Sequence, residues 1–250
     1  MIVDRPLEIT DLSREDLIHM VGIFISDVFV HYGMWFTETV HSQGIEKALE
    51  LDDQVLGPYF QLAASRLAQH FGIEMDGSVP KALTTKTREE LLILLAEVAK
   101  TWVVGDGLWF QAVEASADMD QAKLVNDTCW SHFAHMEAYK IRKFLNLGPR
   151  GGLDALEKAL RLRLYSSINA HSSSWEDDGS LLFAMTECRV QSARRRKGMQ
   201  DYPCKSAGIV EYSNFAASLD PRILTECHYC PPDHVPDEQF CAWRFRLRTE

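Results

Sequence analysis

A chain of 250 residues with 46% hydrophobic and 10% aromatic content can fill one large domain or two small ones, and this is not the composition of a disordered protein. A net charge of −10 argues against broad, non-specific binding to nucleic acid or to anionic membranes, both of which favour basic surfaces. No apolar run is long enough to span a bilayer, and the opening MIVDRPLEITD lacks the basic-then-apolar pattern of a signal peptide, so a cytoplasmic location is expected.

In chain order, Asp11 or Ser13 of DLSREDL offers an N-cap for a long helix whose apolar periodicity continues to about Ser42. Gln43-Gly44 interrupts it, and a second helix is expected from about Ile45 to Phe71, stopped by Gly72. The plan then repeats. At an offset of 74 residues, positions 10–73 align with 84–147 without a gap and with twelve identities. GMWF at 33–36 and GLWF at 107–110 fall inside the alignment, which we read as an internal duplication. The second copy runs from TTKTREELLILLAEVAKTWVVGDGLWFQAVEAS to DQAKLVNDTCWSHFAHMEAYKIRKFLN and stops at LGPRGG. A glycine inside a long helix costs about 1 kcal/mol against alanine. That the cost is duplicated, at Gly33 and Gly107, points to close helix approach or a bend there.

GLDALEKALRLRLYSSIN predicts a fifth helix, and beyond it the pattern changes. SLLFAMTECRVQ alternates after the turn DDG and reads as a strand. QSARRRKGM suits a helical turn or two, and GIVEYSNFAASL a helix. RILTECHYC and FCAWRFRLR read as strands around the loop PPDHVPDE. The expected fold is α+β: residues 1–150 form a duplicated helical part of two helix pairs, packed on an α/β, cysteine-rich module with a small antiparallel sheet over 151–250.

Five of the six cysteines fall in the last 63 residues, which in a reducing compartment suggests metal binding more than disulfides. Cys227-x2-Cys230 is the spacing with which a tight turn offers two thiolates to one metal, and Cys204 and Cys241 complete a tetrahedral set. Cys204, Cys227, Cys230 and Cys241 are therefore the expected ligands of zinc, with an iron–sulfur cluster as the alternative. His228, His234 or Asp233 are substitutes for one of them, and the same cysteines also suit small buried positions on strands. Four thiolates leave no position for water, so the expected site is structural.

Cys188, with Arg189 and Arg194 to Arg196, forms a second cluster. A thiolate beside guanidiniums is a candidate nucleophile, and arginines hold carboxylates, so Cys188, Arg189 and Arg194 are the catalytic candidates. A solvated basic turn beside a buried cysteine is the plainer alternative. Trp35, Phe36, Trp109 and Phe110 are packing material for the crossing of two pseudo-symmetric helix pairs; alternatively they wall an apolar small-molecule pocket that faces the cysteine-rich module. Glu38-x2-His41 resembles half of a helical di-metal motif, but the second copy has Ala112 and Ala115 there. G-x-S-x-G, Gly-rich phosphate loops and H-E-x-x-H are all missing from the sequence.

The stretch PCKSAGIVEYSNFAASLDPRILTECHYCPPDHVPDEQFCAWRFRL resembles the C-terminal part of the 4-vinyl reductase domain family over roughly residues 165–250. That family has a cysteine, a Gly-containing helix, a strand ending in Glu-x2-Cys, a short loop and a cysteine leading the last strand. In aromatic-sensing bacterial regulators with this module such residues hold zinc beside a small-molecule pocket. The resemblance implies Cys204, Cys230 and Cys241 as ligands, with Cys227 standing where those regulators carry Glu. The region is also similar to the L-2-amino-thiazoline-4-carboxylic acid hydrolase-like family, and the whole chain resembles an uncharacterised cytosolic family of anaerobic prokaryotes close to both. Two functions stay open. One is a cytosolic zinc-binding sensor or binding module for a small organic molecule. The other is a hydrolase acting on a small anionic cyclic or amide substrate. The expected partners are that small molecule and, in a homodimer, a second copy.

Overall fold

The computed structural model describes residues 14–77, 79–236 and 239–248. Asp11 and Ser13, the expected first N-caps, lie outside the described residues. The chain divides into two compact units, residues 1–66 and 67–250.

In the first unit α1 (Arg14–Gln43) turns into α2 (Ile45–Phe71) at Gly44, whose φ of +83° lies in the region that favours glycine. The two helices meet through polar aromatics. The Tyr32 hydroxyl donates to Asp52 Oδ1 at 2.8 Å, and the Tyr32 ring stacks on Tyr59. Ala48 and Leu49 are buried, whereas Phe29 is 73% and Trp35 67% exposed.

The second unit takes over in the last turns of α2, which close with the Ile73 amide donating to the Ala68 carbonyl over Gly72. A hairpin of β1 (Met75–Asp76) and β2 (Val79–Pro80) and a single turn, α3 (Lys81–Thr84), lead to α4 (Arg88–Ser116). Thr87 and Glu90 start α4 with a reciprocal capping box, and Asp118 caps α5 (Met119–Phe144) through the Gln121 amide. The two successive helix pairs therefore run 30 and 27, then 29 and 26, residues.

After α6 (Gly152–Leu160) the expected fifth helix breaks. Arg163 is extended, with φ −66° and ψ 155°, because its side chain turns into the core, and a 3-10 turn over Leu164–Ser167 follows. The sheet order is β3 (Ala170–Trp175), β4 (Leu181–Glu187), β6 (Cys241–Leu247), β5 (Ile223–Tyr229), all antiparallel. Phe183 pairs with Trp243, and Trp243 with Cys227, across its middle. β3 has no counterpart in the sequence reading: AHSSSW offers no large apolar alternation, and it sits on the sheet edge, where none is needed. The strand predicted through Gln191 ends at Glu187, and Arg189 opens α7 (Arg189–Arg196).

One face of the sheet is covered by α8 (Lys205–Leu219), whose Phe215 and Leu219 join Leu156, Leu160, Leu181, Trp243 and Phe245 in the fully buried core. α5 packs on α8 in turn. Arg142 Nη1 donates to the Ser218 carbonyl at 3.0 Å, and His135 Nδ1 hydrogen-bonds Ser218 Oγ at 2.5 Å. The second helix pair thus shares a unit with the sheet, and the compact division falls at 66/67 instead of at 150. The molecule is α+β, with most helices N-terminal and a four-stranded antiparallel sheet C-terminal. Among the described residues no helix is long and apolar enough to cross a membrane.

The duplicated glycines do not mark a close crossing. A Cβ built on Gly33 or Gly107 meets nothing within 4 Å among the described residues, and neither residue sits at positive φ. Both positions carry the propensity cost of glycine with no packing return. Gly33→Ala and Gly107→Ala are each expected to stabilise the protein by about 0.4–1 kcal/mol in urea unfolding. A destabilisation would show that something packs closely on these glycines.

Candidate functional site

Three elements converge on one buried guanidinium. Glu137 comes from α5, Glu211 from α8, and Arg163 from the extended residue between α6 and the 3-10 turn; all three are under a tenth exposed. Arg163 Nε donates to Glu137 Oε2 at 2.8 Å, and the Leu164 amide donates to Glu137 Oε1 at 2.9 Å. Arg163 Nη1 lies 2.7 Å from Glu211 Oε1. The guanidinium also rests on aromatic faces, 4.6 Å from the Phe215 ring centre and 5.4 Å from that of Tyr212. Burial alone would pull Arg163 towards neutrality, but the charges of Glu137 and Glu211 outweigh it and hold the cation protonated. Glu211 is pushed up to about 6, chiefly by burial; Arg163 pulls it back and Glu137 adds to the rise.

Beside this triad lies a small cavity of about 10 Å³, room for roughly one water. Leu160, Arg163, Tyr165, Ser166, His171, Phe183, Met185 and Tyr212 line it. Arg163 Nη2 is buried and has no hydrogen-bond partner among the described residues. Burial, then the charge of Arg161, hold the His171 imidazole below its usual range, which keeps it neutral at pH 7. Trp130 stacks on Tyr165, Trp102 meets it edge-on, and Phe133 packs on both tryptophans. A buried N–H beside so small a cavity suits a single water or an oxygen of similar size.

The cysteines gather at another corner. Cys204 sits at the start of α8, and its Sγ lies 3.5 Å from Sγ of Cys230, which is 1% exposed. The contact with Cys230 pulls the Cys204 thiol down, against burial, and Gln191 Nε2 helps at 3.5 Å. Cys230 shifts strongly upward, through its hydrogen bonds to Cys204 and Cys241 and its burial. Cys227 is pushed up to about 11 by burial, and the neighbouring thiols act on it through charge only. Cys204, Cys227, Cys230 and Cys241 do not converge on the expected zinc site. Among the described residues no group of three or more His, Cys, Asp or Glu side chains is placed to hold a metal ion. CxxC spacing put the four cysteines in one region, but a shared ion also demands donors directed at one point, which spacing does not specify.

Cys188 is not an activated nucleophile. It lies against the core, and burial pushes its thiol up to about 12, so it stays protonated at neutral pH. Two of the arginines that were to activate it bond other groups through their guanidinium, and Arg189 bonds one through its backbone amide. Arg194 Nε donates to the Gln200 carbonyl, Arg195 pairs with Asp201, and the Arg189 amide donates to Asn169. The tetrad aromatics part company. Trp109 is 75% exposed, while Phe110 turns in and meets Tyr202 edge-on at 5.2 Å, two residues before Cys204. Trp35 is exposed beside His31, and Phe36 is half-buried on the same helix. Gln191 fixes the Tyr202 segment from both sides: its Nε2 donates to the Tyr202 carbonyl and its Oε1 accepts from the Tyr202 amide, each at 2.8 Å.

The residues that sequence reasoning missed are Arg163 and Glu211. In a continuous helix Arg163 would be one more exposed base. The one hint is LRLRL, in which Leu160, Leu162 and Leu164 alternate where a helical period was expected.

A family model described as "Family of unknown function (DUF6125)" matches residues 10–88 and 84–247, with its seam where the second repeat begins. No curated protein and no solved structure matches the chain.

Proposed function

Because the chain belongs to DUF6125, a family of unknown function, its activity has to be argued from its own geometry, and we propose that residues 67–250 form a binding module for a small organic molecule seated on Arg163. The observation that carries this is the buried Nη2 of Arg163, a residue that lines the cavity, with no hydrogen-bond partner among the described residues. Charge decides the kind of guest. Two carboxylates already surround the one guanidinium, so an anion entering at neutral pH is repelled, whereas a carbonyl or amide oxygen accepts the free N–H without added charge. The wall that yields to a guest larger than water is Met185, unbranched and adaptable. Binding is preferred to hydrolysis because Cys188 is held as a neutral thiol. Six free cysteines support a reducing, cytosolic setting.

Formamide and formate, nearly the same size and differing in charge, test this. At pH 7.5, ligand-observed NMR should show formamide binding to the wild-type protein and formate failing to compete with it. Arg163→Lys keeps the charge and loses the fork, and should lose the formamide signal. Formate binding as well as formamide at this pH, or equal binding by folded Arg163→Lys, would sink the proposal.

A further inference from the structure

We propose that Cys204 and Cys230 form a disulfide when the protein meets a peroxide, which makes the start of α8 an oxidation-sensitive modification site. The two sulfurs are 3.5 Å apart, so a bond of about 2.05 Å needs an approach of only about 1.5 Å, within reach of small side-chain rotations. The segments that carry them are already tied together. The Lys205 amide donates to the Pro231 carbonyl at 3.0 Å, and Lys205 Nζ pairs with Asp233 at 2.7 Å. Closing the bond therefore demands no rearrangement of the chain.

Exposure sets the order of events. Cys204 is half-buried and Cys230 is 1% exposed, so the peroxide reaches Cys204 first. The Cys204 sulfur, as thiolate, attacks one peroxide oxygen. The S–O bond forms, the O–O bond breaks, and hydroxide leaves and takes up the proton that Cys204 released. The Cys230 sulfur then attacks Cys204 Sγ. The S–S bond forms, the S–O bond breaks, and the departing hydroxyl leaves as water with the Cys230 proton. Two thiols and one peroxide become one disulfide and two waters. Cys241 also hydrogen-bonds Cys230, but it opens β6 in register with Met185, whereas Cys204 lies in the turn that leads into α8. The freer backbone favours Cys204 as the partner. This inference is independent of the Arg163 cavity.

The test uses the full chain, reduced and freed of reductant, with one equivalent of hydrogen peroxide. The titratable thiols of the denatured protein should fall from six to four, the intact mass should drop by two hydrogens, and the linked peptides should contain Cys204 and Cys230. Cys230→Ser should instead accumulate a dimedone-reactive sulfenic acid at Cys204. A linkage through Cys241 or Cys227 would overturn the proposal. So would stepwise oxygen addition without loss of two hydrogens, or thiols that react only after a chelator is added. Peptide mapping of the wild-type protein gives the decision even if a variant does not fold.

Discussion

Arg163→Met should be the most damaging conservative-volume substitution in the sheet-bearing unit, costing about 3–5 kcal/mol in urea unfolding. The reason is what it leaves behind. Glu137 and Glu211 are 8% and 7% exposed, and without the guanidinium two carboxylates face each other in the core with no counter-charge. The Leu164 amide still serves Glu137, but among the described residues nothing comparable serves Glu211 Oε1. Adding Glu211→Gln to Arg163→Met removes one of the two stranded charges and should recover part of the loss. A cost of under about 1 kcal/mol for Arg163→Met would show that the triad does not hold the fold together.

Glu211 adds a pH signature to the same experiment. Its folded pKa of about 6 stands above the ordinary 4.5, so between those values the folded chain keeps a proton that the unfolded chain has released. The stability contributed by the protonated carboxyl is therefore complete below about pH 4.5 and is lost as pH rises through 6, by about 2 kcal/mol. Glu211→Gln should abolish this fall, which urea midpoints at pH 5 and 7.5 will show. An unchanged fall would assign it to another group.

The second large effect concerns Gly208. A Cβ added there would stand 2.4 Å from Trp243 Cζ2 and 2.9 Å from Cη2. The ring has nowhere to go: Trp243 is 1% exposed and stacks on Tyr212 at 4.8 Å. Gly208→Ala should therefore destabilise by about 1–3 kcal/mol through overpacking, although alanine is the better helix former by about 1 kcal/mol. Gly107→Ala, the same change in another helix, should go the other way. Trp243→Phe in the Gly208→Ala background should recover stability by more than the two single changes predict, which a double-mutant cycle measures. Additive costs would mean that the two residues do not press on each other.

The sequence by itself determined the four long helices, because a 3.6-residue period and left-handed stop glycines are local signals. α1 breaks at Gly44 and α2 ends before Gly72, where turn chemistry places the boundaries. It also determined the three core strands, whose apolar alternation is local, but not β3, whose serines lie on an edge that needs no apolar face. CxxC spacing brought the cysteines to one corner, but the direction of each thiol belongs to packing, and it yields a Cys204–Cys230 contact where four converging ligands were expected. Only the tertiary structure decided the Arg163 site. Its three charged residues are 26 and 48 positions apart along the chain, at 137, 163 and 211, and no local period links them. What joins them is the packing of α5 and α8 against each other, which carries both carboxylates to a single guanidinium and forces the chain at Arg163 out of its helix.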